Sequence, residues 1–86
     1  MFNISFSKEA YKEYCYWKKT NNILIVNKIK KLIKDISEHP FIGIGKPEML
    51  KGNYSGYWSR RINKEHRLVY KIEKNSIIII QCRFHY

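Results

Sequence analysis

Residues 54–84 read YSGYWSRRINKEHRLVYKIEKNSIIIIQCRF, and this stretch decides the fold. It divides into three β-rich runs, roughly 54–62, 66–73 and 76–84, parted by Asn63-Lys64-Glu65 and Lys74-Asn75-Ser76, both rich in turn formers. Side chains alternate between the two faces of a strand. The even positions are Trp58, Arg60 and Ile62, then His66, Leu68, Tyr70 and Ile72, then Ile78, Ile80, Cys82 and Phe84. They are more apolar than the odd set, which carries Tyr57, Ser59, Arg61, Arg67, Val69, Lys71, Gln81, Arg83 and His85. The even face is therefore expected to pack on the core. Three-residue hairpin loops set Ile62 opposite His66 and Glu73 opposite Ile77, which keeps Trp58 with Tyr70 and Tyr70 with Ile80. Two-residue loops would mix Leu68 with Gln81. The favoured register also lines up Arg61, Arg67 and Arg83 on the polar face.

Upstream, Phe2, Ile4 and Phe6 alternate with polar residues and read as a first strand. Ser7 is placed to cap a helix on which Ala10, Tyr14 and Trp17 follow the helical period, ending at Thr20-Asn21-Asn22. A second helix carries the stripe Ile25, Ile29, Leu32, Ile33 and Ile36, and His39-Pro40 closes it. Residues 41–53, with three glycines and one proline, read as an irregular loop. The order predicts an α+β domain spanning 1–86, with two helices on one face of a mainly antiparallel sheet.

A chain of 86 residues has room for one core, and 44% hydrophobic content supplies it. Seventeen Lys and Arg against seven Asp and Glu give +10, a footprint that points to a polyanionic partner. Cys15 and Cys82 lack metal-ligand spacing and suit a reducing cytoplasm. Residues 1–10 lack a signal-peptide core, and the apolar run Ile77 to Ile80 is too short to cross a bilayer. A cytoplasmic protein without membrane contact, metal or cofactor is expected.

Like charges directly opposite on a sheet cost stability, whereas arginine forks match phosphate oxygens. The arginine row is thus either a solvated face or a phosphate-binding one. Glu48, His66 and His85 are the groups near it that could move protons. His66 has core parity and reads as structural. Glu48 alone could be a plain ion-pair partner of the arginines, and a near-terminal His85 could be inert. Together with Arg67, however, they make a metal-free ribonuclease set: a base for the ribose 2′-hydroxyl, an acid for the departing 5′-oxygen, and a cation for the phosphorane. Tyr54, Tyr57 and Tyr86 offer stacking surfaces for unpaired bases, or simple packing.

The run Gly43-Ile44-Gly45-Lys46-Pro47-Glu48-Met49-Leu50-Lys51 resembles the loop of the YoeB (Txe) toxins of the RelE superfamily. So do Ser55-Gly56-Tyr57-Trp58-Ser59-Arg60-Arg61-Ile62, Glu65-His66-Arg67-Leu68-Val69-Tyr70 and the terminus Cys82-Arg83-Phe84-His85-Tyr86. The resemblance implies a RelE-like fold and a ribosome-dependent endoribonuclease that cleaves messenger RNA in the aminoacyl site. It implies Glu48 as general base, His85 as general acid and Arg67 as the transition-state cation. Lys51 and Arg61 would be supporting phosphate contacts and Tyr86 would shape the site, while Arg83 counts as a phosphate contact through its place in the arginine row. It further implies a YefM (Phd)-class antitoxin, operator DNA bound through the antitoxin complex, and a homodimer as one possible state. Met49 stands where many relatives carry a second proline, so a looser loop is expected at Glu48. The rival readings are a ParE-type gyrase-inhibiting toxin and a non-catalytic RNA-binding module; the terminal histidine and the loop acid argue against the first.

Overall fold

A computed structural model describes residues 2–84. Its elements are β1 (Asn3–Phe6), α1 (Lys8–Lys19), α2 (Ile23–Glu38), β2 (Glu48–Met49), β3 (Trp58–Arg61), β4 (Arg67–Glu73) and β5 (Ser76–Gln81). The strands form one sheet in the order β1-β5-β4-β3-β2, with β1 parallel to β5 and the other neighbours antiparallel. A parallel neighbour cannot follow a tight turn, and here the chain between β1 and β5 includes both helices.

The helices form where caps and periodicity demand. The Ser7 side chain accepts the Ala10 N–H at 3.1 Å, and Glu9 and Lys18 sit at the ends of α1 that favour their charges. Ala10 and Trp17 of α1 are buried with Val26, Ile29, Leu32 and Ile36 of α2. They pack against Ile62, Leu68, Tyr70, Ile77, Ile79 and Cys82 of the sheet side. The indole of Trp17 donates to the Cys82 carbonyl at 2.9 Å, fastening α1 to the end of β5.

The β3–β4 register is as expected, with Trp58 opposite Tyr70 and Arg61 opposite Arg67. The β4–β5 register is not. Glu73 pairs with Ser76 across a two-residue turn, Lys74-Asn75, with Lys74 at φ 55°. Tyr70 consequently faces Ile79 rather than Ile80. A bulge between Val69 and Tyr70 then shifts the pairing, so Val69 faces Gln81 and Ile80 is the extra residue. Ile77 and Ile79 are therefore the core residues of β5, in place of Ile78 and Ile80, while Cys82 is buried as expected. The bulge removes the objection to a two-residue turn, because it keeps Leu68 and Gln81 apart.

Strand limits change too. Residues 54–57 are not strand: a 3₁₀ turn covers Gly52–Tyr54, and Gly56 adopts φ 92° before β3 begins. β5 stops at Gln81, and Phe84, expected on the apolar face, has φ 64° and is half exposed. The loop also contains the short strand β2, which the glycine-rich sequence did not announce.

Candidate active site

The face of the sheet turned away from the core cluster gathers three of the residues singled out in the sequence, Glu48, Arg61 and Arg67. Glu48 of β2 pairs with Ser59 of β3, and paired residues project to the same side. Arg61, two residues beyond Ser59, shares that side and pairs with Arg67 of β4. Glu48, Arg61 and Arg67 thus converge, and with Lys46, Pro47 and Ser59 they line a hollow of about 230 Å³. Glu48 and Arg61 are exposed, Arg67 is half-buried, and Ser59 is buried. One Arg67 nitrogen, Nη1, donates to the Asn63 carbonyl at 3.3 Å. A carboxylate facing two guanidiniums in one hollow can accept a proton while the cations hold an oxyanion.

Backbone bonds fix the acid from both sides. The Arg61 N–H donates to the Gly45 carbonyl at 2.6 Å, and the Leu50 N–H to the Tyr57 carbonyl at 2.9 Å. Met49, opposite Trp58, is therefore part of a ladder rather than of a loose loop.

The remaining sequence-derived residues fall elsewhere. Lys51 is exposed at the start of the 3₁₀ turn and does not line the hollow. The Arg83 guanidinium lies 3.6 Å from the Tyr16 ring centroid on α1 and also faces Trp17 and Phe84. The row of three guanidiniums is therefore a pair, since the strand ends before Arg83 and its alternation ends with it. His66 is structural, as its parity suggested: it is buried, its Nδ1 accepts the Phe84 N–H at 2.6 Å, and its ring meets Trp17 edge-on. Tyr54 and Tyr57 pack edge to face, with Lys71 over the Tyr57 ring. His85 and Tyr86 lie outside the described residues.

Sequence reasoning passed over Lys46, Pro47 and Ser59. The first two directly precede Glu48, and Ser59 has the parity of Arg61, so both signals were present. A larger hollow of about 510 Å³ lies beside the start of α2, lined by Asn21, Asn22, Ile23, Leu24, Ile25, Lys28, Ile62 and Asn63. It holds no acid–base pair. Among the described residues, Asp35, Glu38 and His39 could bring three ligand atoms within 4.8 Å of one another, but Asp35 is committed to Arg60 at 2.5 Å. No helix of the described residues is long and apolar enough to cross a membrane.

A family profile described as "YoeB-like toxin of bacterial type II toxin-antitoxin system" matches residues 6–86. Toxin YoeB of Escherichia coli (strain K12) is 54% identical over 80 residues, which is 93% of this chain and 94% of that protein. Among solved structures, the YoeB-YefM complex from Staphylococcus aureus superposes with TM-score 0.91 at 49% identity, covering 100% of this chain and 99% of that one. The YoeB dimer from Staphylococcus aureus also gives TM-score 0.91 at 49% identity, covering 99% and 98%.

Proposed function

This chain belongs to the YoeB-like toxins of bacterial type II toxin–antitoxin systems, and from that premise we propose that it is a metal-independent endoribonuclease acting on messenger RNA in the ribosomal A site. The observation that carries this reading is the convergence of Glu48, Arg61 and Arg67 on one hollow. Glu48 takes the proton from a ribose 2′-hydroxyl, and the freed oxygen attacks the adjacent phosphorus. Arg67 neutralises the charge of the phosphorane. His85 protonates the departing 5′-oxygen, leaving a 2′,3′-cyclic phosphate and a 5′-hydroxyl. Each proton transfer of this kind contributes roughly 10²–10⁴ in rate.

Further support comes from the residue before His85. The Phe84 carbonyl accepts the Arg67 N–H at 3.1 Å, so the chain leading to the proposed acid is held to the strand bearing the proposed cation. Arg61 and Lys51 contact flanking phosphates, and Tyr86 shapes the site. Arg83, turned onto α1, takes no part in the hollow. The net charge of +10 favours the approach to ribosomal RNA.

The Staphylococcus aureus relative forms a complex with YefM and a dimer. By the same reading, this chain is neutralised by a YefM/Phd-class antitoxin whose acidic segment covers the basic surface, the complex binds operator DNA, and the free toxin can dimerise. Cleavage separates this reading from a plain RNA-binding module or a gyrase-directed toxin. Primer extension on messages held in translating ribosomes should show A-site cuts with the wild type and none with His85→Gln. Absence of cuts with the wild type would refute the nuclease assignment.

A further inference from the structure

Arg60 is fully buried, and three of its guanidinium hydrogen bonds go to the carbonyls of one short segment of chain, residues 39–44. A guanidinium has five N–H donors, and each finds an acceptor here. Nη2 donates to the carbonyls of His39 at 2.5 Å and Ile42 at 2.8 Å. Nη1 donates to the Ile44 carbonyl at 3.2 Å and to Asp35 Oδ2 at 2.5 Å. Nε donates to the Tyr70 hydroxyl at 3.2 Å, which in turn donates to the Pro40 carbonyl at 2.7 Å. Asp35 closes the clasp by accepting the Ile44 N–H at 3.1 Å. Residues 39–44 are thereby wrapped around one side chain.

The next residue, Gly45, is bonded to the backbone of Arg61 at 2.6 Å, and Lys46-Pro47-Glu48 follow directly. Resting on the ribonuclease reading above, we infer that Arg60 and Asp35 are positioning residues for Glu48: the clasp sets where the loop leaves α2 and hence where the carboxylate enters the hollow. Arg60 and Arg61 divide the work, since neighbours on a strand face opposite ways. Arg60 points into the core side and grips the loop, whereas Arg61 points into the hollow and meets the phosphate.

The glycines are fitted to this grip. Gly43 has φ 122°, and a Cβ there would run into Asp35 Oδ2. Gly45 has φ 80°, and a Cβ there would lie 2.8 Å from Leu32 Cδ2 and 3.1 Å from Arg60 Cβ. Both positions need the left-handed conformation and the missing side chain. Neither Arg60 nor Asp35 lines the hollow, so they act through the backbone rather than on the substrate.

Asp35→Asn and Gly43→Ala test this from two directions, the first weakening the clasp and the second pushing on it from an exposed loop. Single-turnover cleavage on programmed ribosomes should fall about 10–100-fold, since misplacement by an ångström can cost that much. The KM for the ribosome complex should stay within about twofold, because the phosphate-binding arginines are left in place. Amide exchange at Ile44 and Arg61 should quicken while the amides of β4 and β5 stay protected. If either folded variant, confirmed by its melting transition, cuts at the wild-type rate, the positioning role is overturned. Should Asp35→Asn fail to fold, Gly43→Ala decides. Loss of KM and rate together overturns it as well, indicating a general loosening. A wild type that cuts nothing brings down the nuclease reading, and a Glu48→Gln variant that cuts normally brings down the general-base role of Glu48; this inference falls with either.

Discussion

Arg61 stands directly across from Arg67 in the antiparallel β3–β4 pair, and both line the hollow that holds Glu48. Two guanidiniums at this spacing repel, and an anion seated between them relieves the repulsion. Glu48 offsets part of the repulsion; a phosphodiester would offset more. On the proposed ribonuclease reading, stability and chemistry are opposed at one spot in the sheet.

Arg67→Ala should separate the two. Removing one of the like charges is expected to raise stability slightly, by roughly a few tenths of a kcal/mol, against the small packing loss of a half-buried stem. Cleavage on the ribosome should fall by about 10²–10³. Chemical denaturation and single-turnover kinetics on the same preparation check both halves. A variant that loses stability and keeps its rate would mean that Arg67 serves the fold.

The clasp around Arg60 predicts a pH dependence of stability. The hydrogen bond from Arg60 holds the Asp35 carboxyl below its ordinary value, with the Ile44 N–H and the charges of Arg60 and His39 adding and partial burial opposing. A carboxyl with a lowered folded-state pKa stabilises the fold above its unfolded pKa, about 4, and loses that contribution as the pH drops through the folded value. Glu13 works the other way. Burial raises its pKa, against the Cys82 N–H bond and the charge of Arg83. Its protonation therefore favours the fold, and its contribution is lost as the pH rises through the raised value. Melting temperatures from pH 2 to 7 should show an acid-side fall that Asp35→Asn flattens, and Glu13→Gln should remove a decline on the neutral side. An unchanged acid limb in Asp35→Asn would contradict the clasp's charge assignment.

The two cysteines should differ sharply. Burial pushes the Cys82 thiol up to about 12, and its Sγ lies 3.5 Å from the Ala10 carbonyl. Cys15 is only half-buried. Since the thiolate is the nucleophile, iodoacetamide on the native protein should alkylate Cys15 and spare Cys82 until denaturant is added. Mass spectrometry reads the outcome directly, and early Cys82 labelling would show that the α1–β5 packing opens readily.

Much of this was legible in the chain. The β3–β4 register followed from polar and apolar residues that alternate cleanly, and it put Arg61 against Arg67 correctly. The β4–β5 register was not legible, because Ile77 to Ile80 carry no alternation and a bulge leaves no mark in composition. Arg83 was misplaced for a related reason: parity was extended past the end of the strand, where Phe84 turns to positive φ. Glu48 and Arg67 stand out in the sequence because acids are scarce in this chain and arginines suit phosphate, and the fold brings both to one hollow. Arg60 was overlooked although it carried a signal, a charged residue at core parity, which had to be paired with something buried. Its partner Asp35 lies 25 residues away, and only tertiary folding shows that the two meet.

If the Glu48 carboxylate takes the proton of the attacking hydroxyl, single-turnover cleavage of ribosome-bound message by Glu48→Gln must reveal it. A loss of about 10²–10⁴ in rate with ribosome binding intact is the predicted result. A rate within a few-fold of wild type would contradict it.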